Sequence, residues 1–122
     1  MDELIAFYAA RLDEDERDAL AASPGPWSAN AEHDEIHSND GIPVAEGFAL
    51  SGRQLRATVD HIVRHDPDRV LRRVKSGREL IKLCEKQWTH DLRGTEGGLE
   101  MALELAVYEY ADHADYLEKW RP

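Results

Sequence analysis

A single cysteine, the want of any long apolar run and a shortage of positive charge set the first limits on this 122-residue chain. Cys84 alone cannot close an intrachain disulfide, and it falls on an apolar helical seam, where a buried, unreactive thiol is the common outcome. Nothing therefore argues for an oxidising compartment. No apolar stretch approaches the ~20 residues that span a bilayer, and the N-terminus opens on acids rather than on a basic region followed by an apolar one. The expected location is the cytoplasm, with no membrane partner. Lys and Arg number 15 against 25 Asp and Glu, a net charge of −10, so phosphate is repelled by most of such a surface. This argues against nucleic acid as a partner and favours a basic protein. There is also no glycine-rich phosphate loop, and Ser51, Ser76 and Cys84 lack the setting of a nucleophile.

What is present is helical periodicity on either side of a break. Leu55, Val59, Ile62 and Val63 recur at helical spacing, leaving Arg56, Asp60 and Arg64 wet. The pattern stops at His65. Pro67 cannot donate an N–H and disfavours helical angles at Asp66, yet it suits the first turn of a new helix capped by Asp66. A central helix pair over residues 51–65 and 67–88 follows, with Ser51 capping the first. In the second, Val70, Val74, Ile81, Cys84 and Trp88 form a seam for packing on other helices, and Gly77 lies beside it. A mid-helix glycine costs about 1 kcal/mol relative to alanine, so either a neighbouring backbone comes close there or the helix is locally weak.

The flanks complete the fold. Residues 2–22 predict a helix with Ile5, Tyr8, Ala9, Leu12, Ala19 and Leu20 on one face, ended by Ser23-Pro24-Gly25-Pro26, which delivers Trp27 as a core anchor. Over residues 27–46 the period shortens: Ile36, Ile42 and Val44 alternate with polar residues around Asn39-Asp40-Gly41, a tight-turn signal, and Pro43 confines its strand to an edge or a bulge. After a polar loop over residues 89–98, Leu99, Ala102, Leu103, Ala106, Val107 and Tyr110 stripe a last long helix over 99–111. The tail, 112–122, holds Tyr116, Leu117 and Trp120 and should fold back on the core. The expected architecture is α+β: one mainly helical domain, with a small antiparallel β-hairpin or meander packed on a helix pair.

Charge is segregated along the chain. Residues 52–88 hold ten of the fifteen bases and five acids, a net +5, which leaves −15 for the rest. Arg72, Lys75, Arg78, Lys82 and Lys86 make a basic strip without interleaved aromatics for base stacking. The opposing candidate is the acidic run Asp13, Glu14, Asp15 and Glu16, either a solvated face or a strip that binds a basic partner. Pairing of that run, or of Glu100, Glu104 and Glu109, with the basic strip inside the chain is the simpler reading.

Histidines are the only candidates for chemistry. His61 and His65 lie one helical turn apart, a spacing at which two imidazoles can share a divalent metal, with His33, His37 or His113 as third ligands. The glutamate that a metalloprotease places after the first histidine is missing, since Ile62 stands there. Five of the six histidines adjoin an aspartate, as in metal-dependent phosphohydrolases, but such neighbours arise readily in so acidic a chain, and Asp66 already serves as a helix cap.

The stretches MDELIAFYAARLDEDE, SPGPW, VAEGFALSGRQLRATVDHIVRHDPDRVL, LIKLCE and YADHADYLEKWRP cover well over half the chain. In them the chain resembles a family of short, acidic actinobacterial and actinophage proteins classed only as a domain of unknown function. The resemblance lends no catalytic residue. Relatives often carry cysteines in the loop before the last helix and a long basic residue where Gly77 stands; neither is present here. No cofactor is expected. The sequence thus points to a non-enzymatic, cytoplasmic interaction or regulatory protein, of phage or mobile-element derivation, with acidic helices facing a basic partner. A histidine-centred metal protein or hydrolase is the alternative, and a homodimer through the last helix and the central seam a third arrangement.

Overall fold

The computed structural model describes the backbone of residues 1–90 and 96–122, and the side chains of all of these except 87–90 and 96. The seam position of Trp88 and residues 91–95 of the expected loop lie outside this description. Among the described residues there are four α-helices, α1 (Asp2–Ala21), α2 (Gly52–Arg64), α3 (Pro67–His90) and α4 (Glu96–Val107), and three strands, β1 (Ser28–Ala29), β2 (Glu35–His37) and β3 (Pro43–Glu46). The fold is α+β and mainly helical, with the strands in one antiparallel sheet of order β1-β2-β3.

Local chemistry explains the boundaries. Ser51 caps α2 by accepting the Gln54 N–H at 3.2 Å. Asp66 is buried and serves twice: Oδ1 accepts the Arg69 N–H at 2.9 Å to cap α3, while Oδ2 accepts the Trp27 N–H at 3.1 Å. One carboxylate thereby starts a helix and pins the chain entering the sheet. Gly41 supplies the positive φ, 79°, of the turn between β2 and β3. Ile36 pairs with Ala45 and His37 with Pro43, so Val44 is the extra residue of a bulge, and β3 is an edge strand, as its proline requires.

The chain divides into two compact units, Met1–Glu14 with Val74–Pro122, and Asp15–Arg73; α1 and α3 each contribute to both. In the second unit the sheet packs on α2 through fully buried Ile36 and Val59. Gly47 fits closely there: a Cβ on it would stand 2.8 Å from both Leu55 and Val59 side chains. Trp27 is half-buried rather than a core anchor, its indole N–H donating to the Ser23 carbonyl at 2.9 Å, and Ile42 at the turn is 61% exposed.

In the first unit the core comprises Leu4, Phe7, Tyr8 and Leu12 of α1, Val74, Ile81 and Cys84 of α3, and Leu103 and Val107 of α4. Burial of each large apolar side chain contributes about 1.5–3 kcal/mol relative to leaving it exposed. The inward face of α1 thus runs through Leu4 and Phe7, with Ile5 only half-buried; farther along the helix Leu20 is 68% exposed. Phe7 is the hub of an aromatic cluster, its ring 5.2 Å from Trp120, 5.6 Å from His113, 6.0 Å from Tyr116 and 6.4 Å from Tyr110. That cluster is what draws the tail in. α4 stops at Val107 and continues as a 3₁₀ turn over Tyr108–Tyr110, shorter than the stripe ending at Tyr110 implied.

Candidate functional site

The two helix-end histidines do come together. The His61 and His65 rings lie 4.5 Å apart at a 45° tilt, at the C-terminal end of α2, where His65 closes the helix by donating its N–H to the Ile62 carbonyl. Partial desolvation, then the positive charges of His61, Arg69, Arg73 and Arg64, push the His65 imidazole below its ordinary pKa. His65 borders an open cleft of about 230 Å³ lined also by Asp15, Trp27, Val70 and Arg73, smaller than the roughly 300–1,000 Å³ of ordinary ligand sites. The other histidines are engaged elsewhere. His33 Nδ1 stands 2.8 Å from Asp60, His37 Nε2 2.9 Å from Glu35, and His113 Nδ1 meets both the Arg11 guanidinium at 3.1 Å and the Asp115 N–H at 3.0 Å. Among the described residues no group of three or more His, Cys, Asp or Glu is placed to hold a metal ion.

The acidic run of α1 is also engaged within the chain. Asp13 accepts from Arg78 at 2.9 Å, Glu14 from Arg11 at 2.9 Å, and Asp15 lies 3.5 Å from Arg73; Glu16 is half-buried and has an interaction of its own. The pairs with Arg78 and Arg73 are half-exposed and individually weak, but they place those guanidinium groups where an external basic partner would need to sit. Arg11 itself is buried, with its guanidinium carbon 4.9 Å from the centre of the Phe7 ring.

A different surface stands out on α4. Leu103 and Val107 are fully buried on its inner side, while Met101 is 63% exposed, Leu105 61% and, one turn on, Tyr108 47%. Met101 and Leu105 stand four residues apart on the side of α4 away from Leu103 and Val107, and Tyr108 follows them in the 3₁₀ turn. A helix that is apolar on both sides is ordinarily covered on both. Its charged residues are all acids: residues 96–110 hold Glu96, Glu100, Glu104 and Glu109 and no Lys or Arg. The signal in the sequence was the apolar character all round the helix, which a search for one stripe passes over.

The described residues form a mainly helical α+β fold with a small antiparallel sheet, an acidic run paired within the chain and an exposed apolar-acidic face on α4. Across residues 1–122 the chain matches a family of unknown function, DUF6221, and it belongs to that family. No curated protein and no solved structure matches it. Among the described residues no helix is long and apolar enough to cross a membrane.

Proposed function

We propose that this is a non-enzymatic cytoplasmic interaction or regulatory protein whose docking surface is the outer face of α4 and whose partner presents a basic helix with an apolar stripe. The observation that carries this reading is the exposure of Met101 and Leu105 on a helix already buried through Leu103 and Val107, continued by half-exposed Tyr108 in the 3₁₀ turn, whose ring also meets Arg121 at 5.7 Å. Carboxylates at Glu100 and Glu104 beside that stripe select for positive charge in the partner. The Asp13 to Glu16 run is a less suitable surface, because its carboxylates already meet Arg78, Arg11 and Arg73. A photo-crosslinking residue in place of Leu105 tests the proposal in the cell. A discrete polypeptide adduct is expected from that position and none from a probe at exposed Arg53; no adduct from position 105 would overturn it.

The His61–His65 contact supports a second reading, a site for a divalent metal with structural or hydrolytic chemistry. It requires a third donor from outside the described residues, from solvent or from a substrate. A zinc- or manganese-dependent rise in melting temperature, removed by a chelator and by His61→Ala, would put this reading first.

A further inference from the structure

Building on the proposal that α4 is a docking surface, we infer that its partner is a second copy of this chain, seated through the solvent face of α3. The face of α3 turned away from Val74, Ile81 and Cys84 carries exposed Lys75, Lys82 and Lys86, with Leu83 51% exposed among them. This face is basic apart from Glu79 and offers one exposed leucine to the α4 stripe, and it belongs to the same unit as α4. The spacings match as well. Glu100 and Glu104 are four residues apart, as are Lys82 and Lys86, and each pair spans about 6 Å along its helix axis. Setting α4 of one copy against α3 of the other lays a carboxylate row on an ammonium row and Leu83 on the Met101–Leu105 stripe.

Charge also disfavours the simpler pairings. Two copies of α4 face to face would oppose glutamates with glutamates, and two copies of α3 would oppose lysines with lysines. The crossed pairing sets the all-acidic helix against the mainly basic face. Around a two-fold axis it is made twice, α4 on the partner copy's α3 and the reverse, which doubles the covered surface without further elements. Within one copy Lys82 donates to Glu79 at 3.0 Å and Lys86 also has an interaction of its own, but these side chains are exposed, and an exposed ion pair of the Lys82–Glu79 kind contributes little.

The test is light scattering and native mass spectrometry of the full chain over a concentration series, with circular dichroism confirming the fold of each variant. Dimers are expected for the natural sequence, weakened at high salt. Glu100→Lys with Glu104→Lys should weaken association by about tenfold or more, and Lys82→Glu with Lys86→Glu by a similar factor. All four changes together should restore it, a rescue that only contact between copies explains. A monomer at every concentration, or a dimer indifferent to both charge reversals and to Leu105→Glu, would overturn the inference. A monomer whose position-105 probe captures some other polypeptide would overturn the second copy as partner and leave α4 as the docking surface; no adduct and no dimer would remove both.

Discussion

Gly77 of α3 faces Tyr8 of α1 so closely that a Cβ at position 77 would stand 2.6 Å from the phenol oxygen and 2.8 Å from the Leu12 Cδ1. The close approach is by buried side chains, not by a neighbouring backbone, and it accounts for a glycine in a helix where alanine would be favoured by about 1 kcal/mol. Both neighbours are held, Tyr8 at 4% exposure and Leu12 at none, so neither yields cheaply. Gly77→Ala is therefore expected to destabilise by about 1–3 kcal/mol despite the gain in helix propensity. Urea denaturation measures the difference, and a stabilised variant would show that this contact is looser than the geometry indicates.

Asp66 should be the costliest polar position in the second unit. Its carboxylate satisfies the Arg69 and Trp27 amides while buried, so Asp66→Ala loses a helix cap and leaves a pinned loop amide without its acceptor. A loss of about 2–3 kcal/mol is expected in thermal or urea unfolding. Asn retains a single oxygen acceptor and should recover part of it. Equal losses for Asn and Ala would mean that the negative charge, rather than the cap, carries the effect.

His65 is expected to contribute to loss of stability in acid. With its folded pKa below the ordinary 6.5, the unfolded chain binds the proton more readily, so stability is fully present above that value and falls as the pH drops through 6.5 towards the folded pKa. The groups around it are His61, Arg64, Arg69 and Arg73, with Asp15 and Asp18 across the cleft. His65→Asn is expected to lose less melting temperature than the natural protein between about pH 7.5 and pH 5.5. An identical slope in both proteins would contradict the assignment.

Much of the architecture was legible because the decisive residues act locally. The Asp66-Pro67 break, the Ser51 cap and the turn at Gly41 follow from backbone chemistry that no tertiary contact needs to supply. The face of α1 was less legible: Leu4, Ile5, Phe7 and Tyr8 make its first turns apolar nearly all round, and only the aromatic cluster about Phe7 decides that Leu4 and Phe7 point inward. Arg11 escaped for a related reason, since its burial depends on a ring and a histidine that lie far along the chain. The site was the least legible part. The acidic run reads more simply as a solvated or internally paired face than as a docking strip, but its partners are identified only once the arginines opposite it are placed, and the outer stripe of α4 becomes conspicuous only once Leu103 and Val107 are seen to be satisfied on the other side.

Met101 offers the most direct measurement of whether α4 is covered. Its thioether stands on the outer stripe at 63% exposure in the single chain, and its oxidation by peroxide can be followed by mass spectrometry. Met101 is expected to oxidise several-fold more slowly in intact cells than in the dilute purified protein, and the Leu105→Glu variant to remove that protection. Oxidation at the same rate in the cell, in the dilute protein and in the variant would contradict a partner on this face.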